Sequence, residues 1–141
     1  MAELNVVGVG VIGVGIDAVD VERFRQVLAR TPSLRHRVFT EAEIAYAYQA
    51  NDPTERLAVR WAAKEATMKA LGVGLGGFKM RDAEVTVAAS GAPSMRLSGA
   101  ALARLSAVGG TDLMVSMTHT ATTAQAIVLA VCRPDPPAAG R

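Results

Sequence analysis

The chain has 141 residues, 50% of them hydrophobic, and a formal net charge of only +2. This length and composition favour one domain with its own core, and no apolar run approaches the ~20 residues that span a bilayer. The single cysteine, Cys132, excludes an internal disulfide and fits a reducing cytoplasm. The apolar start lacks a basic leader and is broken by glycines, so we do not expect a signal peptide.

A strand rich in Val, Ile and Gly is predicted over residues 6–17. Residues 8–13 match G-x-G-x-x-G, the pattern of a dinucleotide-binding fingerprint. That motif requires a strand before it and a helix after it, whereas only seven residues precede this one and more strand follows. We therefore interpret it as a glycine-spaced strand. Its end at Asp17 is unusual for a buried strand, and Asp17 competes with Asp20 for the role of cap of the next helix.

Helices dominate the middle of the chain. One is predicted over residues 21–30 and ends before Pro32, a short turn covers residues 34–39, and a capping box at residues 40–43 opens a helix through residue 50. The strongest helix prediction covers residues 54–71, which contain neither Gly nor Pro. Lys64 and Glu65 lie within or beside its apolar surface, where a charge is costly without a partner. The alternative is a surface helix with a Glu65–Lys69 pair.

Strands dominate the second half. A glycine-rich loop at residues 72–77 is followed by a hairpin over residues 83–97, a short helix at 99–108, and strands at 112–118 and 123–132 with His119 in the turn between them. This order predicts a single-domain α+β fold, residues 1–132, with a largely antiparallel sheet and a long central helix. The Pro/Ala/Gly-rich residues 133–141 predict a disordered tail.

Two charge patterns bear on function. Five arginines lie between residues 21 and 37 against one acid, Glu22, which indicates either an acidic partner or a solvated face. Asp17 and Glu65 are carboxylates that could converge on Mg²⁺, which prefers oxygen ligands. Three positive residues lie near Glu65 in the sequence: Arg60, Lys64 and Lys69. Their charge would suit a phosphate diester or anhydride bound to that metal. His119 could add a phosphate contact or transfer a proton, or be merely solvated.

Four segments carry a resemblance when taken together. They are residues 15–17 (GID) with Arg23, residues 39–43 (FTEAE), residues 61–66 (WAAKEA) with Lys69, and residues 115–120 (VSMTHT). In this order the chain resembles the holo-acyl-carrier-protein synthases, the small phosphopantetheinyl transferases, from about residue 11 to 131. It departs from them in a longer leader, in Thr118 where serine is more frequent, and in the proline-rich tail.

The resemblance implies a reaction and a set of roles. In the cytoplasm, 4′-phosphopantetheine would pass from coenzyme A to a serine of an apo acyl carrier protein, as in fatty acid biosynthesis, with release of adenosine 3′,5′-bisphosphate. Asp17 and Glu65 would hold Mg²⁺, and Lys69 would neutralise phosphate oxygens. Glu65, or a metal-bound water that it orients, would accept the serine proton. His119 would serve catalysis and coenzyme A binding. The other coenzyme A contacts would be Arg60, Lys64, Gly72, Gly74, Gly91 and Pro93.

The resemblance also implies partners. Arg23 and Arg37 would dock the acidic carrier protein. Family members are typically homotrimers, so a site could combine Asp17 and Glu65 of one chain with His119 of the next.

Two other classes remain open from the residues alone. A nucleotide-binding oxidoreductase would need an acid at a second strand end and a parallel sheet, and we find neither pattern. A nucleic-acid-binding module would use the arginines, but aromatic residues make up only 4% of the chain, so base stacking is poorly supplied. Neither nucleic acid nor a membrane is therefore expected as a partner. A strict Mg²⁺ requirement would separate the transferase from both alternatives.

Overall fold

The fold is a three-stranded antiparallel sheet crossed by one long helix, in a computed structural model that describes residues 10–134. The first half contains β1 (Gly10–Asp20), α1 (Val21–Arg30), α2 (Leu34–Val38), α3 (Glu41–Ala47) and α4 (Thr54–Ala70). After a 3-10 turn at Met80–Asp82 come β2 (Ala83–Val87), β3 (Pro93–Leu97), α5 (Gly99–Ala107), β4 (Asp112–His119) and β5 (Thr123–Cys132). The sheet order is β1-β5-β4, and β2 and β3 form a separate antiparallel hairpin.

The predicted α+β class, the antiparallel sheet and the long central helix are confirmed. Three boundaries differ. β1 continues to Asp20, which pairs with Thr123 and caps α1 by accepting the backbone N–H of Arg23 at 2.8 Å. α3 ends at Ala47, and His119 is the last residue of β4 rather than part of the turn. Residues 6–9 of the predicted first strand and residues 135–141 of the predicted tail lie outside the described part of the chain, so the domain boundary stays a prediction.

The glycines of β1 allow α4 to pack against the strand backbone. A Cβ on Gly13 would overlap the carbonyl oxygen of Ala70, and a Cβ on Gly15 would overlap that of Ala66. The core lies on this side of the sheet, where α4 contributes to both clusters of buried apolar residues. The glycine spacing that imitates a dinucleotide fingerprint is therefore a packing feature. Among the described residues, no helix has the length and apolar character needed to cross a membrane.

We expect Gly15→Ala to destabilise the fold by roughly 1–3 kcal/mol or more, because the overlap is with helix backbone that cannot move aside as a side chain can. Urea unfolding followed by circular dichroism measures the change. Gly10→Ala in the same strand is the control, since its Cβ would lie 3.8 Å from the nearest oxygen, an ordinary contact. Equal stability of the two variants would mean that α4 does not pack this closely.

Candidate active site

Lys64 lies in the core, which corrects its expected role as a phosphate ligand. Its side chain and that of Glu43 are both 0% exposed, and Nζ donates to Glu43 Oε1 at 2.8 Å. The same Nζ donates to the carbonyl oxygens of Met80 at 3.0 Å and Ala83 at 2.7 Å. Burial lowers the pKa of Lys64, and the Glu43 carboxylate opposes that shift. All three ammonium hydrogens are used inside the protein, so Lys64 has none left for coenzyme A.

One cleft, which we call the carboxylate cleft, brings Asp17 of β1 together with Glu65 of α4. It measures about 480 Å³ and is lined by Asp17, Ala18, Val19, Asp20, Arg23, Phe24, Val27, Trp61 and Glu65. Asp17 reaches it because it follows Ile16 on the opposite side of the strand, where the pleat turns it towards α4. Two carboxylates predicted from distant parts of the chain therefore share one solvent-accessible site.

The electrostatics of the carboxylate cleft favour a cation. Burial raises the pKa of Glu65, the negative charge of Asp17 raises it further, and Lys69 opposes both effects. Lys69 Nζ donates to Asp17 Oδ1 at 3.3 Å and to the carbonyl oxygen of Ile16 at 2.8 Å. Its ion pair is with Asp17 of β1, and not with Glu65 one helical turn away.

The donor set of this cleft fits Mg²⁺. Two carboxylates are what this ion commonly takes from a protein when phosphate oxygens and water supply the remaining ligands. Within residues 10–134, no group of three or more His, Cys, Asp or Glu residues is arranged to hold a metal. The carboxylate pair is therefore suited to an ion that arrives with a phosphorylated ligand, rather than to a closed structural site.

A second cleft, the arginine cleft, brings together four other predicted residues. It measures about 290 Å³, and the predicted residues in its wall are Arg60, Gly91, Pro93 and His119. The remaining lining residues are Tyr46, Arg56, Val59, Val87 and Met117. None of these five was expected from the sequence, and two of them, Tyr46 and Arg56, carry polar groups. The spacing of Arg56 and Arg60 by four residues, which puts them on one helical face, was the signal that would have found Arg56.

The guanidinium groups of this cleft lie against an aromatic ring, and one of their donors has no hydrogen-bond partner among the described residues. Arg60 and Arg56 lie over the Tyr46 ring, 4.4 Å and 4.7 Å from its centroid. Arg60 is only 2% exposed, and among the described residues its Nε has no hydrogen-bond partner. Burial lowers the pKa of Arg60, although the Glu43 carboxylate opposes this effect. A buried donor without an acceptor is costly, so an anion entering the cleft would be favoured.

Gly72 and Gly74 lie in an exposed loop after α4, and neither lines the two clefts. Gly72 has a φ of 69°, which ends the helix with a left-handed residue, and Arg104 Nε donates to the carbonyl oxygen of Leu71 beside it. Gly72 therefore has a role in ending α4. The contact of Gly72 and Gly74 with coenzyme A stays a prediction.

The predicted docking arginines occupy different surroundings. Arg23 lines the carboxylate cleft, whereas Arg37 is exposed on α2. Arg25, between them, is engaged by Glu22 and Asp52. Arg35 lies 5.2 Å from the centroid of the Tyr48 ring. The arginine excess is therefore only partly available to a partner.

The two clefts have no lining residue in common. α4 contributes Glu65 to one and Arg60 to the other. A separation of five residues rotates these side chains by about 140° around the helix axis. One copy of the chain thus presents the carboxylates and the arginines in different directions.

Comparison with known proteins assigns the family. The model of the 4′-phosphopantetheinyl transferase superfamily matches residues 13–132. The holo-acyl-carrier-protein synthase of Streptomyces avermitilis is 44% identical over 120 residues, which are 85% of this chain and 97% of that protein. The synthase of Treponema denticola is 41% identical over 120 residues, which are 84% of this chain and 97% of that protein.

Solved structures of this family have a similar fold. The ACPS–CoA complex of Chronobacterium ammoniagenes has a TM-score of 0.77 at 28% identity and covers 90% of this chain and 98% of its own. The Helicobacter pylori holo-acyl-carrier-protein synthase in complex with coenzyme A has a TM-score of 0.73 at 28% identity, with 83% and 98% covered. The chain belongs to the 4′-phosphopantetheinyl transferase superfamily.

Proposed function

We propose that the chain transfers 4′-phosphopantetheine from coenzyme A to a serine hydroxyl of an apo acyl carrier protein. The observation that carries this proposal is the carboxylate cleft, in which Asp17 and Glu65, with Lys69 paired to Asp17, suit a metal-bound pyrophosphate. Relatives named holo-acyl-carrier-protein synthases, and solved relatives in complex with coenzyme A, support the same donor and acceptor. The exposed free thiol of Cys132 fits a cytoplasmic location, which we propose with it.

The chemistry follows from the residues of this cleft. Asp17 and Glu65 would hold Mg²⁺, which when bound neutralises charge on the pyrophosphate oxygens. The Lys69 ammonium, held beside Asp17, would stabilise the charge that develops on the same oxygens. The serine oxygen forms a bond to the β-phosphorus while the bond from that phosphorus to the bridging oxygen breaks, and adenosine 3′,5′-bisphosphate leaves.

Glu65 is the group that we assign to the serine proton. Its carboxylate lines the cleft in which the pyrophosphate would bind, and a proton acceptor must lie within hydrogen-bond reach of the hydroxyl. The proton moves from the serine hydroxyl to Glu65 and then to solvent, so that the enzyme returns to its starting state.

The arginine cleft would hold the nucleotide phosphates of coenzyme A. Arg60 supplies a buried donor that lacks an acceptor, and Arg56 adds a second guanidinium against the same tyrosine ring. His119 lines the same cleft, and Gly91 and Pro93 form part of its wall. Arginine forks match phosphate oxygens in charge and geometry.

We propose that the chain works as a homotrimer in which the carboxylate cleft of one copy meets the arginine cleft of the next. The outer face of the sheet supports this, because Val14 is 59% and Ile16 62% exposed there. Val14 pairs with Leu129, Leu129 with Met114, and Ile16 with Ile127, so the apolar residues form one continuous patch. A patch of this kind on a soluble domain marks an interaction site.

Incubation with coenzyme A, Mg²⁺ and apo carrier proteins is expected to add one phosphopantetheine mass to the carrier serine, as measured by intact-mass spectrometry. A chelator is expected to stop transfer, because Asp17 and Glu65 would then repel both each other and the pyrophosphate. A carrier panel should include proteins from fatty acid, polyketide and peptide synthases. No mass change on any of them would contradict the transferase, and full-rate transfer in chelator would contradict the metal role of the carboxylates.

Charge reversal on the docking face is expected to weaken carrier binding. Each exposed charge pair contributes roughly 0.2–1 kcal/mol, so Arg37→Glu combined with Arg23→Glu should raise the apparent KM for carrier several-fold. The wild type should lose carrier affinity as salt rises, and the variant should lose less.

Two controls accompany this test. Calorimetry of coenzyme A binding detects any damage to the carboxylate cleft through Arg23. Arg96→Glu, an exposed arginine on β3 outside both clefts, should leave the KM for carrier unchanged. An unchanged KM in the double variant would mean that Arg23 and Arg37 belong to a solvated face and do not dock the carrier protein.

A further inference from the structure

A histidine–carboxylate contact involves His119, which forms part of the wall of the arginine cleft. His119, the last residue of β4, places Nδ1 3.0 Å from Oε2 of Glu55, in the first turn of α4. The side chains are 40% and 37% exposed. They lie 64 positions apart in the chain, so the contact depends on the packing of α4 against the sheet.

This contact determines which ring nitrogen can meet a ligand. An ionised carboxylate only accepts hydrogen bonds, so Nδ1 must carry the hydrogen that it shares with Glu55. In the neutral ring Nε2 is then the unprotonated nitrogen, and in the charged ring it is a second donor. In either form Nδ1 is occupied by Glu55, and Nε2 is the atom left for the cleft.

Two arginines that are close to Glu55 in sequence have other partners. Arg56 is its neighbour in sequence, but Arg56 donates to the carbonyl oxygen of Tyr46 at 2.9 Å and lies over the Tyr46 ring. Arg60, one turn later, lies over the same ring and donates to the carbonyl oxygen of Arg56. Both arginines are thus directed to Tyr46, which leaves the Glu55 carboxylate to His119.

We propose that Glu55 is a positioning residue that orients His119 so that Nε2 faces the anion held in the arginine cleft. The step that concerns the anion rests on the proposed function, whereas the orientation of the ring does not. Glu55 itself touches no reacting atom. Its effect on the reaction passes through His119.

The chain contains a second histidine, which serves as an internal reference. His36 Nδ1 lies 3.6 Å from Glu41 Oε1, beyond hydrogen-bond distance, and these side chains are 63% and 75% exposed. Two histidines give a simple spectrum, and a His36→Asn variant assigns its signals. Glu41→Ala is therefore a matched control, because it removes a first-turn acid that lies near a histidine but does not hold it.

The first experiment is nitrogen-15 NMR of the intact, histidine-labelled chain at a pH where both rings are neutral. We expect His119 to show hydrogen on Nδ1, and His36 to show the mixture of an unconstrained ring. In Glu55→Ala the His119 pattern should change to that of His36, and in Glu41→Ala it should stay as in the wild type. A His119 pattern that matches His36 in the wild type, or that survives Glu55→Ala, would overturn the proposal whether or not the chain is a transferase.

The second experiment measures the consequence for the ligand. Glu55→Ala should raise the KM for coenzyme A roughly tenfold, the scale of one charge-assisted hydrogen bond, while kcat changes less than about twofold. In a His119→Ala background the same substitution should have no further effect on KM, because the residue through which it acts is missing. Additive effects of the two substitutions would show that Glu55 acts independently of His119 and would overturn the positioning role. Absence of transfer by the wild type would instead count against the proposed function, with the NMR result unaffected.

Discussion

Lys64→Met is expected to lower the free energy of unfolding by roughly 3–5 kcal/mol, because it leaves the Glu43 carboxylate buried without its cation. Both side chains are 0% exposed, and Glu43 also accepts the backbone N–H groups of Thr40 and Val85, each at 3.0 Å. The pair therefore joins α3 and α4 to β2. Chemical denaturation of the variant and the wild type measures the difference.

A second substitution tests the cause of this loss. Lys64→Met combined with Glu43→Gln removes the buried negative charge as well, so the double variant should be more stable than Lys64→Met alone. Lys79→Met is the surface control and should change stability by less than about 0.5 kcal/mol. If Lys64→Met lowers the free energy of unfolding no more than Lys79→Met does, Lys64 is not the buried partner of Glu43. Lys64 would then be available to bind phosphate, as the sequence predicted.

Glu65→Ala and Asp17→Ala are each expected to lower the rate of transfer by at least ~100-fold, the scale of losing a principal electrostatic or acid–base group. Neither side chain is buried in the core, so both variants should fold. Single-turnover transfer to a carrier protein, followed by mass, gives the rate directly.

Asp20→Asn provides the matched control for this pair. Asp20 lines the same cleft, but its side chain caps α1, and asparagine is an equally good cap. The variant should therefore retain its stability and lose at most a few-fold in rate. Near-normal turnover of Glu65→Ala would mean that Glu65 is only a surface charge of α4.

The sequence predicted α1 and α4 closely because their signals are local. A cap, an uninterrupted run of helix formers and a helix stop are all visible within one segment. The end of β1 was misjudged because it depends on a partner: β5 pairs with β1 up to Asp20, and nothing in the local composition of β1 reports that pairing.

Lys64 and Glu65 show why the site could be predicted only in part. Both are charged, adjacent and at the edge of the apolar surface of α4, so periodicity does not tell which of them is buried. Lys64 is the buried one because it pairs with Glu43, which lies 21 positions away. The sequence had assigned Glu43 only a local role, in the capping box. Tyr46 was missed for a similar reason, since its contact with Arg56 and Arg60 depends on how α3 packs against α4.

The most direct test of the central claim is to assemble two defective variants together. Asp17→Ala damages only the carboxylate cleft, and Arg56→Ala combined with His119→Ala damages only the arginine cleft. The two are unfolded, mixed in equal amounts and refolded, and transfer is measured by intact mass at a coenzyme A concentration well below the wild-type KM.

If each site is shared between neighbouring copies, random assembly should pair an intact carboxylate cleft with an intact arginine cleft at about a quarter of the sites. The mixture should then regain about a quarter of the activity of wild type refolded in the same way. A mixture no more active than its two components refolded separately would contradict a site built from two copies of this chain.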